Sequence, residues 1–146
     1  MTAEKDYKAR YREVTNEALY PFGHGLTYGD IVYGTTMVDA ARMSWNGAVE
    51  VRAAVSNRGT RPAHEVAQLY IHDRVASLTQ PVRALKGFSH IDLAPGETRT
   101  VSFTLRRSDL EFLTAKLQFA AEPGLFDVWI APSAVGGISV SFELTA

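Results

Sequence analysis

The sequence contains no cysteine, no long apolar run and no marked excess of one charge. The absence of cysteine among its 146 residues excludes disulfides and thiolate metal sites. No apolar run approaches the roughly 18 residues that cross a bilayer, and the N-terminus lacks the apolar core of a signal peptide. Because 15 Lys and Arg face 16 Asp and Glu, there is no basic field for nucleic acid. We therefore expect neither a nucleic-acid nor a membrane partner.

The apolar residues that are present, 46% of the chain, follow a strand pattern. Segments 49–56, 101–106, 126–131 and 138–144 alternate between apolar and other residues, which is the period of a half-buried β-strand. Segment 65–72 carries apolar residues on both faces, which predicts a central strand with a partly covered outer face. The chain therefore reads as an all-β protein with one core.

Turn residues separate these segments. The pairs are Asn57 with Gly59, Pro95 with Gly96, and Pro123 with Gly124. The first pair tolerates positive φ, and the Pro-Gly pairs suit type II turns. Ser108 is a candidate cap for a short helical turn within 106–113. Regularly spaced short strands with such turns predict an immunoglobulin or fibronectin type III-like antiparallel β-sandwich.

The first 28 residues differ from the rest. Eight of the first seventeen are charged, and residues 18–28 then gather three aromatic residues and two glycines. This composition predicts an extended arm, 1–28, ahead of a folded domain, 29–146. Within the arm, the candidates for contact with another domain or with a substrate entrance are Tyr20, Phe22, His24, Leu26 and Tyr28.

A search for catalytic chemistry finds little. The four histidines have no metal-ligand spacing, and no nucleophile elbow or phosphate loop is present, so we expect no metal and no cofactor. Trp129 alternates away from the apolar positions 126, 128 and 130. It is a candidate for stacking against a sugar ring, or else for a covered position at an interface.

Four ordered motifs carry a family resemblance: LYPFGHGLTY at 19–28, VRAAVSNRGTRPAHEVAQLYIHD at 51–73, ASLTQPVRALKGFSHIDLAPGETRTVSFTL at 76–105 and EPGLFDVWIAPSA at 122–134. From about Tyr11 to Leu144 the chain resembles the C-terminal fibronectin type III-like domain of glycoside hydrolase family three, particularly its periplasmic β-glucosidase branch. The first motif resembles the linker from the preceding α/β-sandwich domain.

The resemblance implies a non-catalytic accessory domain of a β-glucosidase or β-xylosidase. Its partners would be the catalytic barrel and α/β-sandwich domains of a retaining β-glycosidase, on the same or a separate chain. The family's two catalytic carboxylates belong to those domains, so no catalytic residue is expected here. A periplasmic or extracellular location of the parent enzyme would follow.

Two other functions remain open. The chain could be a free-standing carbohydrate-binding or adhesion module, or the small subunit of a split glycosidase. A homodimer formed through the N-terminal arm is a further candidate partnership, since exposed aromatic residues there would favour self-association.

Overall fold

The computed structural model describes residues 18–80 and 82–146, which form two facing β-sheets and a small hairpin. The charged segment 1–17 of the predicted arm lies outside the described residues. The strands are β1 Ile31–Tyr33, β2 Met37–Val38, β3 Arg42–Ser44, β4 Ala48–Asn57, β5 Ala63–Asp73, β6 Ala84–Leu93, β7 Thr98–Arg106, β8 Phe112–Leu113, β9 Phe119–Ala120, β10 Gly124–Ala131 and β11 Val140–Thr145. This architecture confirms the predicted all-β sandwich.

The first sheet is built around β4. Strand β7 runs antiparallel along one side of β4, with Ala48 opposite Arg106 and Ser56 opposite Thr98. The short strands β1 and β2 pair with successive parts of β4 and therefore share its other side. The alternation that predicted β4 is visible as burial: its valines are buried in the core, whereas Arg52 is exposed.

The second sheet has the order β3-β11-β10-β5-β6. Strand β5 is central, as segment 65–72 predicted, and pairs antiparallel with β10 and β6. A register irregularity lies between Leu69 and Tyr70 where β5 faces β6. The pair β3–β11 is parallel, which departs from the purely antiparallel sandwich that the sequence predicted.

The core lies between the inner faces of the two sheets. Phe126 and Phe142 stack with their ring centroids 5.7 Å apart. The buried residues of this cluster are Met43, Val49, Val51, Ala53, Val55, Ala67, Leu69, Ile71, Leu93, Val101, Leu105, Leu110, Phe126, Val128, Ile130, Phe142 and Leu144. These residues stabilise the folded state in proportion to the apolar area that they remove from water, at about 25 cal/mol per Å².

One polar pair bridges the sheets beside this core. The Tyr33 hydroxyl of β1 donates to Glu65 Oε1 of β5 at 2.8 Å. Burial raises the pKa of Glu65 above its ordinary value, although the hydrogen bond from Tyr33 and the neighbouring His64 both act to lower it. Burial, followed by the charge of Glu65, raises the pKa of Tyr33 as well. The hydroxyl therefore stays protonated and available as a donor.

The predicted turns are partly confirmed. Gly96 has φ +77°, and Glu97 N donates to Ala94 O at 3.0 Å, as a turn with Pro95 at its second position requires. The prediction for Pro123–Gly124 is wrong: Gly124 begins β10 with φ +153°, and a Cβ there would strike Val75. Glycine is needed here for two reasons: its backbone conformation disfavours other residues, and the Val75 side chain packs close to its Cα at the start of β10.

Asn57 tolerates positive φ, but the structure does not use that tolerance. Asn57 is the last residue of β4 and is 1% exposed. Its side-chain amide donates to Arg61 O at 2.7 Å and Leu93 O at 3.2 Å, and its Oδ1 accepts from Gly59 N at 2.9 Å. Its role is therefore to satisfy buried backbone groups around the β4–β5 connection.

The predicted helical turn exists as a 3₁₀ segment, Arg107–Leu110. Ser108 is not its N-cap, because the segment begins at Arg107, two residues earlier than a Ser108 cap would need, and its N-cap is Arg106. Asp109 instead accepts a hydrogen bond from Arg106 N at 2.7 Å. The carboxylate thus satisfies the backbone N–H of the N-cap residue, as the N3 residue of a capping box does.

Candidate functional site

The predicted site residues lie on or against the outer face of the five-stranded sheet, the face that points away from the core. Side chains alternate across β5: Leu69 and Ile71 point into the core, so Gln68 and Tyr70 point to the opposite face. The register places Phe88 of β6 opposite Gln68 and Trp129 of β10 opposite Tyr70. We call this surface the outer face.

Residues 18–28, which we call the arm segment, lie against the outer face and are fastened to it mainly by backbone groups. Ala134 N donates to Phe22 O at 2.8 Å, and Gln68 Nε2 donates to Gly23 O at 2.9 Å. Further along, the Thr27 hydroxyl donates to His64 O at 2.9 Å. These bonds fix the path of the segment without using its apolar side chains.

Gly23 makes that path possible. Its φ is +76°, in the left-handed region that favours glycine. A Cβ at this position would overlap the side-chain ends of Gln68 and Tyr70. Gly25, by contrast, has no atom within 4 Å of such a Cβ. The structure therefore requires glycine at position 23 but not at position 25.

The buried amide of Gln68 organises the crossing point. Its Nε2 donates to Pro132 O at 2.7 Å as well as to Gly23 O, while its Oε1 accepts from the Tyr70 hydroxyl. Burial raises the pKa of Tyr70, with nearby Arg83 acting in the opposite direction. The Gln68 amide and the Tyr70 hydroxyl therefore both have partners, which suits a fixed joint.

The apolar side chains of the arm segment point to solvent. Their exposed fractions are 86% for Leu19, 67% for Tyr20, 68% for Phe22, 94% for Leu26 and 92% for Tyr28. A closely spaced set of exposed apolar side chains is unusual on a free protein surface. His24 lies nearby, with its ring centroid 5.0 Å from that of Tyr20.

A cleft of about 310 Å³ separates the arm segment from the sheet. It lies between the Gly23–Leu26 part of the segment and the side chains of His64, Val66 and Gln68. The structure thus brings His24 toward the outer face, while the predicted role of the arm residues in substrate contact stays a prediction.

Trp129 lies apart from the exposed aromatic residues of the arm segment. It is half-buried on the outer face, and the Arg83 guanidinium lies 4.2 Å from the centroid of its ring. Arg83 also donates to Gly136 O at 2.7 Å. A sugar would have to share or displace this cation to stack on the ring face, so the predicted stacking role stays a prediction that the local packing does not favour.

An ion-pair network lies farther along the same face. Arg74 contacts both carboxylate oxygens of Asp127, at 2.8 and 2.7 Å, and the Ser141 hydroxyl donates to Asp127 Oδ1 at 2.6 Å. Burial acts to raise the pKa of Asp127, but the hydrogen bonds from Arg74 and Ser141 outweigh it and hold the pKa below its usual value. The network links the β5 end to β10 and β11.

Strand pairing also gathers polar residues that are distant in sequence. His64 Nδ1 lies 2.6 Å from Asp92 Oδ1, and His64 Nε2 lies 3.2 Å from His90 Nδ1. The hydrogen bond with His64 lowers the pKa of Asp92. Sequence spacing missed this cluster, because the residues meet only through the β5–β6 register. Within residues 18–80 and 82–146, no group of three or more His, Cys, Asp or Glu side chains is arranged to hold a metal.

Residues 65–134 match the family model described as a fibronectin type III-like domain. The chain carries a fibronectin type III-like domain. Across 138 residues it is 38% identical to the periplasmic β-glucosidase of Salmonella typhimurium, covering 94% of this chain and 18% of that protein. It is 40% identical over 126 residues to a β-xylosidase of Formosa agariphila, covering 86% of this chain and 17% of that protein.

Solved structures agree with these relatives. A β-glucosidase from Erythrobacter marinus matches with a TM-score of 0.87 and 31% identity, over 94% of this chain and 18% of that one. A β-glucosidase from Listeria innocua solved with glucose has a TM-score of 0.87 and 29% identity, over 97% and 20% respectively. The resemblance to the fibronectin type III-like domain of glycoside hydrolase family three is thereby confirmed.

The chain spans about a fifth of the length of the relatives that it matches. Among the described residues, no helix is both long enough and apolar enough to cross a bilayer.

Proposed function

We propose that this chain is a non-catalytic accessory domain of a larger β-glucosidase or β-xylosidase. The observation that carries the proposal is the arm segment, which is hydrogen-bonded to its own sheet through backbone groups while its apolar side chains face solvent. Such an arrangement fixes a row of apolar contacts for another domain. Residues 1–28 would be the linker and docking arm, and residues 29–146 the accessory domain.

The catalytic carboxylates would lie elsewhere in the parent enzyme. A retaining glycosidase needs two of them about 5 Å apart across the bond to be cleaved. The relatives are about five times longer than this chain, which leaves ample length for a catalytic barrel and an α/β-sandwich domain. The accessory domain would pack against these catalytic domains and stabilise the surfaces that it covers.

Phe22 and Leu26 would be the main apolar contacts, with Tyr20 and Tyr28 beside them. Full burial of one such side chain stabilises an interface by about 1.5–3 kcal/mol. His24, which lies at the cleft beside these residues, would contact the facing domain or the substrate entrance. Without a partner, the same surface would favour a homodimer through the arm, seen as concentration-dependent elution.

A chimaeric enzyme tests the proposal. The matching region of the Salmonella typhimurium periplasmic β-glucosidase would be replaced by this chain, and hydrolysis of an aryl β-glucoside and thermal stability would be measured. We expect the Phe22→Ser change to lower the thermal stability and activity of the chimaera while leaving the isolated chain unchanged.

Phe119→Ser provides the matched control, because Phe119 of β9 is 72% exposed against 68% for Phe22 and lies on a different element. If both variants behave alike in an active chimaera, docking through the arm segment is wrong. Titration of the isolated chain with cello- and xylo-oligosaccharides should give no heat. Saturable binding lost on Trp129→Ala would instead support a carbohydrate-binding module.

A further inference from the structure

We propose that His64 and His90 form a surface site for a divalent late first-row transition metal ion, of which Zn²⁺ is the reference case. The two residues lie on neighbouring strands of the outer face. His64 is opposite Asp92 and Val66 is opposite His90, so the two imidazoles are diagonal neighbours on the same side of the sheet.

The separation of the two ring nitrogens fits two ligands of one ion. His64 Nε2 and His90 Nδ1 are 3.2 Å apart. Two nitrogens at about 2.0–2.1 Å from a tetrahedral Zn²⁺ would lie about 3.3–3.4 Å from each other. The ring centroids are 5.3 Å apart, so the two nitrogens face each other, and a rotation of each side chain would direct both lone pairs at a shared ion. Without an ion, the same two nitrogens share a hydrogen bond.

Asp92 prepares His64 for this role. Its Oδ1 lies 2.6 Å from His64 Nδ1, so a neutral His64 carries its proton on Nδ1 and leaves the Nε2 lone pair free toward His90. A carboxylate behind a ligating histidine orients the ring and raises its basicity. Phe88 restrains the other ring, since it meets His90 edge to face with centroids 5.7 Å apart.

Two histidines leave the remaining coordination positions open. The His64 side chain is 58% exposed and that of Asp92 is 85% exposed, so an ion and its water ligands can reach the site. No third ligand from the described residues completes it. Imidazole favours Zn²⁺, Cu²⁺ and Ni²⁺ over Mg²⁺, which prefers oxygen ligands. The site would therefore take a hydrated transition metal ion and reject Mg²⁺.

Isothermal titration of the tag-free chain with ZnCl₂, near pH 7.5 where imidazole is neutral, tests the site. We expect one Zn²⁺ per chain and no heat with MgCl₂. His64→Gln and His90→Gln should each abolish binding. Asp92→Asn should retain the site but weaken it by about 10–100-fold, the range for loss of a group that orients a ligand.

His24→Gln is the control, because His24 is an exposed histidine outside the pair. Circular dichroism would establish that each variant is folded, and NMR should show Zn²⁺-induced shifts at His64 and His90. The proposal is overturned if the wild-type chain binds no Zn²⁺, if binding survives loss of either histidine, or if His24→Gln is as damaging as His64→Gln. Binding unaffected by Asp92→Asn would remove the orienting role of that carboxylate. This proposal does not depend on the accessory-domain function, since it concerns the isolated chain.

Discussion

Replacing Gly23 with alanine should release the arm segment from the sheet while leaving the sandwich folded. An alanine at φ +76° costs about 1–2 kcal/mol in the left-handed region. Its Cβ would also displace Gln68, and loss of the Gln68–Gly23 hydrogen bond costs about 0.5–1.5 kcal/mol. The local penalty is therefore about 1.5–3.5 kcal/mol.

The arm segment has little stability with which to absorb this penalty. Its three hydrogen bonds to the body of the domain contribute about 1 kcal/mol each. Ordering the backbone costs about 1–2 kcal/mol per residue and removes much of that gain. Detachment is thus the easier response, and the free energy of global unfolding should fall by only about 1 kcal/mol, the part that the segment contributes.

Amide hydrogen exchange at Ala134 measures the release, because Ala134 N donates to Phe22 O. We expect exchange about fivefold faster in Gly23→Ala, since the roughly 1 kcal/mol that the segment contributes corresponds to a factor of about five. Gly25→Ala is the control, because a Cβ there meets nothing within 4 Å. Equal protection of Ala134 in the wild type and in Gly23→Ala would show that the close approach at Gly23 does not hold the segment in place.

Two further changes test the interior. Asn57→Ala should lower the free energy of unfolding, measured in urea, by about 2–3 kcal/mol, because it leaves buried backbone groups without hydrogen-bond partners. Asn46→Ala, at an exposed position, is the control and should be near neutral. Burial raises the pKa of Glu65 above 4.5, so the folded state binds this proton more tightly and wild-type stability declines as pH rises through the raised pKa. Glu65→Gln should remove that decline, so its stability relative to the wild type should be greater at about pH 7 than at about pH 4 in urea titrations; an unchanged difference would contradict the assignment.

Features set by one strand and its nearest turn were predictable from the sequence. The alternating valines of β4 could be assigned because one face of the strand is buried and the other is not. The Pro95–Gly96 turn could be assigned because its chemistry is local. These signals need no knowledge of which strands become neighbours.

Features set by register could not be predicted in the same way. The role of Asn57 depends on Leu93 O, which lies 36 residues away. His64 and His90 are 26 residues apart, and their meeting depends on the pairing of β5 with β6. The requirement for glycine at position 23 likewise depends on Gln68, 45 residues later. A one-residue shift in the pairing of β5 with β6 would have separated His64 from His90.

The parallel pairing of β3 with β11 constrains when the domain can fold during synthesis. Arg42 of β3 contacts Glu143 of β11 across a separation of 101 residues. Until β11 has left the ribosome, β10 has no neighbour on that side and β3 has no sheet to join. A nascent chain halted after β10 would therefore present an unpaired strand edge, which is a template for aggregation. Chaperone binding should be strongest on chains stalled in this window and should fall once residues 140–145 emerge.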